Sequence, residues 1–552
     1  MIVTGDKASV TSDIPFASPG SFSGDEGAFA PFGFGVNGDR DGGWLRFPIG
    51  ASDTSIYPSW NEKENDDDLH NPAKDGPKFV LKNIKTWNPW ICLQLLFLIL
   101  IVLGVLCAGV LYPILLSIRV FDRERPPERL SEFDFGMLEG IRTSMIDPDT
   151  PDYAMTRDSV LGRGKLKLVF SDEFEQDGRT FYPGEDQFWT APRIHYAATN
   201  DLEMYDPDFI TTKDGVLEIR FQTYRDYDLD FRSGMLQSWN KLCFKGGVME
   251  VSASLAGPAG VAGLWPGIWS LGNLARPGFR ASSDGVWPYS YDQCDVGITP
   301  NQSSTDGISF LPGQRLAKCV CKNEDHPSPG TGRGAPEIDA LEGTINYDMK
   351  IGEVTQSSQM APFDIWYQTN YDYVAIKNHS VTRMNSWQGG PFQQAVSGVT
   401  MLNNDWYDGK QYQKYAFEYI PGKADGAIAW FVGDEETLRM TGNAIGPNGN
   451  IGQRDISQEP MSIILNLGMS ENWAWIDMER LAPRLAQGTV MRIDYVRIYQ
   501  EEGKELLTCD PPGYPTTEYI AKHPKAYDNA NLTQWDETGY PWPKNKFMDQ
   551  CH

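Results

Sequence analysis

The distribution of hydrophobic and polar positions divides the chain into stretches of different character. Residues 1–88 show no apolar periodicity, are rich in Gly, Ser, Asp and Pro, and carry the acidic run Asp66, Asp67, Asp68. Such a segment cannot bury enough apolar surface to offset the entropy of ordering, so it reads as a disordered tail. Residues 89–118 are the opposite case, with no charged residue from Trp90 to Ile118. That run exceeds the roughly 20 residues that carry a helix across a bilayer. Its length and its distance from the N-terminus exclude a cleaved signal peptide, so one transmembrane helix, with membrane lipid around it, is expected. A stem rich in Arg, Glu and Pro follows over residues 119–163.

Beyond the stem the pattern changes to short runs of β-branched and aromatic residues separated by Gly, Asp and Asn. The clearest are Lys165–Phe170, Val216–Phe221, Gly247–Ala253, Ile338–Ile345, Ala427–Val432, Ile463–Leu467 and Val490–Tyr499. No helical crossovers alternate with them, which argues against a parallel sheet. An all-β domain of two packed antiparallel sheets is expected over residues 164–502, with a Pro-rich, Cys-containing tail over residues 503–552 tied to it.

Cysteines and sequons add an orientation. Cys92 and Cys107 lie in the apolar run; Cys243, Cys294, Cys319, Cys321, Cys509 and Cys551 all follow it, and none precedes it. The sequons at Asn301, Asn378 and Asn531 also follow it. Disulfides and glycans belong to an oxidising, non-cytosolic compartment. Lys74, Lys78, Lys82 and Lys85 before the run balance Arg119, Arg123, Arg125 and Arg129 after it, so positive-inside counting does not decide. The one-sided cysteines and sequons predict a single-pass type II protein of the secretory pathway, with its tail in the cytosol and its domain in the lumen or outside.

The net charge of −26 removes nucleic acid as a partner, because phosphate binding needs clustered Lys and Arg. Neutral polymers remain. Gly33, Gly35 and Gly38 match a dinucleotide-binding spacing but lack the strand before and the helix after that such a site requires. The six histidines are scattered and Cys319-Val-Cys321 lacks ligand spacing, so no metal or other cofactor is expected in catalysis.

The segment Glu337-Ile-Asp339-Ala-Leu-Glu342 places three acids in a strand-like run. In a regular strand Glu337 and Asp339 share a face and Glu342 points the other way. A β-bulge at Ala340-Leu341 would return Glu342 to the face of Glu337. Like charges crowded on one face raise the proton affinity of at least one of them, which is what a glycosidase needs in order to hold one carboxylate ionised and its neighbour protonated. The plainer role for these acids, decoration of a solvent-facing strand, is an unfavourable way to solubilise a sheet.

With these residues go Val169-Phe-Ser-Asp-Glu-Phe, Thr199-Asn200-Asp-Leu-Glu203-Met-Tyr205, Leu264-Trp265-Pro-Gly-Ile-Trp269, Leu465-Asn466-Leu-Gly and Asp494-Tyr-Val-Arg-Ile-Tyr, in that order along the chain. Over about Leu168 to Gln500 the set resembles glycoside hydrolase family 16. With the apolar run and the Cys509-Asp-Pro-Pro-Gly-Tyr-Pro tail, the whole resembles the fungal β-glucan synthesis-associated membrane proteins. The resemblance implies a concanavalin-like β-jelly-roll sandwich acting on β-glucan in cell-wall β-1,6-glucan assembly, with retention of configuration. It implies Glu337 as nucleophile, Glu342 as acid/base and Asp339 as the helper between them. Trp265 and Trp269 resemble cleft-floor aromatics, and Asn200, Tyr205 and Asn466 sugar contacts; core packing is the other role open to each. A structural Ca²⁺ is seen in some relatives, and there Glu173 and Asp494 would be the candidate ligands.

Two departures stand out. Residues 270–336 form an insertion before the catalytic strand, with Cys294, Cys319 and Cys321 in it, and no His follows Glu342 over Gly343 to Ile365. Cys319 and Cys321 are poorly placed to bridge each other, so at least one of the three is expected to pair outside the loop. The competing function is a catalytically weak glucan-binding scaffold, since the same fold serves lectins.

Overall fold

The computed structural model describes residues 89–106, 136–301, 309–363 and 368–551. The expected disordered tail over residues 1–88, the end of the apolar run over 107–118 and the first half of the stem lie outside the described residues. Pro89–Leu106 forms a helix. Leu96, Phe97, Leu98, Ile99 and Leu100 follow one another and are all exposed, so the helix is apolar on every side, as a protein-facing amphipathic helix is not. Its 18 residues reach about 27 Å at 1.5 Å per residue, against roughly 30 Å of hydrocarbon. Among the described residues no helix is long and apolar enough to cross a membrane.

The β-domain consists of two antiparallel layers. We label the strands that matter β1 (Lys165–Asp172), β2 (Val216–Asp226), β3 (Met235–Gln237), β4 (Gly247–Ser254), β5 (Trp265–Gly272), β6 (Glu337–Asn346), β7 (Ile351–Met360), β8 (Thr382–Met384), β9 (Gln393–Met401), β10 (Gln413–Ile420), β11 (Ala427–Val432), β12 (Glu435–Thr441), β13 (Met461–Gly468) and β14 (Thr489–Glu501). One sheet runs β8-β9-β7-β6-β5-β13-β3, and the other contains β12-β11-β10-β4-β14-β2 with β1 paired to β14. Period-two alternation is plain in β1, where Lys165 and Lys167 are exposed while Leu166 and Leu168 are buried with Val248 and Tyr499 under Ile146 and Met155 of the preceding segment. After a register shift Phe170 turns into the core between the sheets. Between the sheets Ile268, Ile338, Leu341, Ile463 and Leu465 meet Met249, Val251, Phe417, Ile428, Trp430 and Val496 in one apolar core.

The insertion does not hang free of this sandwich. Leu274, Phe279, Val286 and Leu316 of the insertion pack with Tyr519, Ile520, Tyr527 and Trp535 of the C-terminal tail, and with Leu271 and Ile464 of the first sheet, in a second apolar cluster. Three disulfides fix it: Cys294–Cys319 within the insertion, Cys321–Cys551 from insertion to tail, and Cys243–Cys509 from sandwich to tail. The expected pairing outside the loop is therefore met by Cys321.

The described part of the stem expected over residues 119–163 lies against the sandwich. Thr156–Asp158 pairs with β1, Thr150 Oγ1 donates to Glu173 at 2.9 Å, Arg157 pairs with Glu250, and the Val160 N–H donates to Glu418 at 2.9 Å. The polar stem sequence concealed this because these hydrogen bonds and ion pairs accompany only scattered apolar contacts, those of Ile146, Met155, Val160 and Leu161, which form no periodic run.

Candidate active site

The chemistry is built on an irregularity in β6. Against β5 the register runs Ile268↔Leu341 and then Trp269↔Asp339, skipping Ala340. Against β7 it runs Asp339↔Ser357 and then Glu342↔Thr355. One extra residue therefore stands at Ala340-Leu341, where the acid spacing asked for it. Ile338, Ala340 and Leu341 turn into the core, whereas Glu337, Asp339 and Glu342 all line one cleft of about 610 Å³ on the outer face of the sheet.

A bulge frees backbone groups that must find partners. Here the Asp339 carbonyl accepts from Trp430 Nε1 at 3.0 Å. The Ala340 carbonyl accepts from Gln356 Nε2 at 2.9 Å. The same Gln356 amide nitrogen donates to the Phe431 carbonyl at 3.0 Å, and its Oε1 accepts from Thr437 Oγ1 at 2.6 Å. Trp430 and Gln356 thus lock the bulge from within the core.

The three carboxyls have different surroundings. Glu337 Oε2 accepts from Trp287 Nε1 at 2.7 Å. Asp339 Oδ2 accepts from Ser357 Oγ at 2.5 Å and from Gln359 Nε2 at 3.4 Å. Ser357 Oγ also lies 3.3 Å from Glu342 Oε2, and Trp265 is a further hydrogen-bond partner of Glu342. Asp339 is fully buried, while Glu337 and Glu342 keep part of their surface open to the cleft.

Burial, and then the charges of Asp339 and Glu342, push Glu337 well above the usual carboxylate range. Burial and then the Asp339 charge do the same to Glu342. Burial pushes Asp339 up to about 7 against the hydrogen bonds from Ser357, Gln359 and Glu337. Water entering the cleft tempers the shift on the two glutamates, but its direction follows from the packing. Asp339 Oδ1 is buried and accepts from no protein donor, and with both carboxyls pushed up by burial a proton held between Glu337 and Asp339 relieves the crowding of charge.

The other expected contacts divide. Trp265 lines the cleft and stacks face to face on Trp473 with ring centroids 4.6 Å apart. Trp269, Asn466 and Tyr205 also line it, joined in one chain: Trp269 Nε1 donates to Asn466 Oδ1 at 2.8 Å, Asn466 Nδ2 to Tyr205 Oη at 3.0 Å, and Tyr205 Oη to Asp201 Oδ2 at 3.0 Å. Asn200 is a correction. It does not line the cleft: it is exposed and in the left-handed conformation (φ 53°, ψ 46°), closing the short turn over Ala197–Thr199. Asparagine tolerates that conformation, so the motif needs it for the turn.

Its neighbours Asp201 and Glu203 were not singled out in the sequence. Burial pushes Asp201 up to about 6, and burial followed by the Asp201 charge pushes Glu203 well above its usual range. Trp287, Ser357, Gln359 and Trp473 were missed as well; a cluster of Trp and short polar residues carries no motif.

Glu173 does not fit a calcium site, since its carboxylate is held by Arg497 at 2.7 and 2.9 Å and by Thr150. Among the described residues no group of three His, Cys, Asp or Glu is arranged to hold a metal ion. The sequon residues Asn301, Asn378 and Asn531 are all exposed.

Two antiparallel sheets packed face to face, with buried acids on a bulged strand at the floor of a cleft, define a β-jelly roll of the glycosidase-like kind. A non-specific endo-beta-1,3(4)-glucanase from family GH16, SCLam, is among the solved structures with a similar fold (17% identity, TM-score 0.35, covering 61% of this chain and 92% of that one). The sequence matches the model of the beta-glucan synthesis-associated protein SKN1/KRE6/Sbg1 family over residues 56–551. It is 48% identical over 550 residues to beta-glucan synthesis-associated protein KRE6 of Saccharomyces cerevisiae, covering 97% of this chain and 75% of that protein. To SKN1 of the same yeast it is 49% identical, covering 91% of this chain and 68% of that protein. The chain belongs to this family.

Proposed function

We propose that the protein is a retaining transglycosidase or glycosidase that acts on β-glucan during assembly of fungal cell-wall β-1,6-glucan. The observation that carries this is the bulge that gathers Glu337, Asp339 and Glu342 on one cleft face; the names of the yeast relatives supply the substrate class. Glu337, ionised, attacks the anomeric carbon. The glycosidic C–O bond breaks as Glu342 gives its proton to the departing oxygen, leaving a glycosyl ester on Glu337. Glu342, now a base, takes a proton from an incoming sugar hydroxyl or water, whose oxygen displaces Glu337. Two displacements retain configuration. Asp339 shares a proton with Glu337 in the resting state and, through Ser357, is linked to Glu342.

The same reading puts residues 1–88 in the cytosol and helix Pro89–Leu106 in the membrane of a secretory compartment. The β-domain then stands in the lumen or outside, in an oxidising setting suited to its three disulfides and with glycans on Asn301, Asn378 and Asn531.

Product analysis tests the reaction, using the full chain in detergent with defined β-1,3- and β-1,6-glucan oligosaccharides. Glu337→Gln should lower turnover by about a thousandfold or more while the fold persists. If Glu337→Gln supports wild-type product formation and wild-type wall assembly in cells, the scaffold reading takes the place of the enzymatic one.

A further inference from the structure

The hydrogen bond from Trp287 reaches Glu337 from outside the two sheets. Asp339 and Glu342 are the charged groups bearing on Glu337, and the neutral Tyr196 phenol faces it from the segment between β1 and β2. Both charged neighbours are acids, which makes the Trp287 N–H the contact that favours a carboxylate there. Trp287 lies in the insertion, in a short turn where its backbone N–H donates to the Ser283 carbonyl at 2.9 Å, and the Ala335 N–H, two residues before Glu337, donates to the Val286 carbonyl at 2.8 Å.

The C-terminal tail grips this turn. Arg315 is buried, and its backbone N–H donates to the Gly285 carbonyl at 2.7 Å. Its side chain donates to the Asp284 carbonyl at 2.9 Å and to Tyr519 Oη at 2.7 Å, and its guanidinium sits 3.4 Å over the Trp535 ring. Gly285 has φ +70°, and a Cβ there would meet the Trp542 ring at 2.4 Å, so the turn is pressed against the tail where only glycine fits.

We propose that Trp287 is a positioning residue for the nucleophile, and that the insertion and the disulfide-bound tail are built to hold its indole N–H on the attacking carboxylate. This inference rests on the reading of Glu337 as nucleophile. It gives the insertion a function in the reaction: the carboxylate is held in one orientation, and its ionised form is favoured where burial and two neighbouring acids oppose ionisation. The tail then acts on catalysis without touching substrate, by way of Arg315 and the turn at Gly285.

The test follows the first displacement alone. A 2-deoxy-2-fluoro-β-glucosyl fluoride transfers its sugar to the nucleophile as fluoride leaves, with no proton needed from Glu342, so labelling against pH reports Glu337. With the full chain in detergent, mass spectrometry should find the wild type labelled on Glu337, at a rate that rises with pH along an acidic limb. In Trp287→Phe that limb should move up by about one pH unit, with labelling below it about tenfold slower. If Trp287→Phe does not fold, benzothienylalanine at position 287 keeps the ring shape, removes only the N–H, and should give the same displacement. A labelled variant whose acidic limb stays in place, slower or not, overturns the role of Trp287. A wild type labelled elsewhere or not at all overturns the nucleophile reading instead, so the two failures are distinct.

Discussion

At the scale of single residues, the site is a problem in sharing protons among buried acids. Asp339 titrates near 3.9 in an unfolded chain and is pushed up to about 7 by burial in the fold. Its folded affinity is the higher one, so folding favours the protonated group: the contribution is fully present below about pH 4 and is lost as pH rises through about 7. Replacing Asp339 by Asn removes this loss. Thermal melts of the two proteins between about pH 4 and pH 8 should therefore show the wild type falling relative to Asp339→Asn as pH rises; parallel curves would mean that Asp339 is ionised in the fold throughout. The three acids were legible in the sequence because a crowded acidic strand has few structural uses. Trp287, Ser357 and Gln359 were not, because a tryptophan in a long insertion and short polar residues on a strand look like packing and solubility until their partners are known. Asn200 shows the reverse error: it stands in a motif for its backbone conformation, which a sequence does not separate from chemistry.

At the scale of the element, what makes the acids a site is one extra residue in β6. Its presence followed from side-chain parity, since Glu337 and Glu342 cannot share a face on a regular strand. What holds it was hidden in β7. Ile351–Met360 reads IGEVTQSSQM, polar enough to pass for a loop, yet all of it after Ile351 is buried. Its polar side chains are spent on the site: Ser357 and Gln359 face Asp339 on the cleft side, and Gln356 faces the core and the Ala340 carbonyl. Gln356→Leu keeps much of the volume and leaves that carbonyl and the Thr437 hydroxyl without these bonds. We expect a loss of about 1–3 kcal/mol in denaturant unfolding, with kcat falling more than this stability loss accounts for, because a relaxed bulge turns Glu342 away from Glu337. Full activity at reduced stability would assign Gln356 to folding alone. Some apolar strands, by contrast, were legible: Ala427–Val432 was read with its observed ends, because a buried run of β-branched and aromatic residues between turns has few other readings. Gln413–Ile420 and Gln393–Met401, with polar residues among the apolar ones, were not read.

At the scale of the whole molecule, the chain joins an apolar helix to a domain closed by disulfides. The six cysteines of the β-domain and its tail are all paired, two of the bridges fastening the tail to the rest of the domain. Cross-links of this kind persist in the lumen of the secretory pathway and are reduced in the cytosol, and exposed sequon residues on the same side agree with it. The N-terminal segment has none of these features, and its composition suits a solvated tail. A helix exposing apolar side chains all around its axis has no reason to stand in water. Together these predict one orientation, and protease protection checks it. In sealed microsomes carrying the full chain, added protease should remove the segment before Pro89 and leave a protected, glycosidase-sensitive fragment that contains the Glu337 region. Under non-reducing conditions that fragment should migrate faster than after reduction, since the bridge between Cys243 and Cys509 spans 266 residues and keeps the denatured chain compact. Detergent should expose all of it to digestion. A protected N-terminal segment with a digested β-domain would reverse the orientation, placing the cleft on the cytosolic face where the disulfides that hold the insertion would not persist.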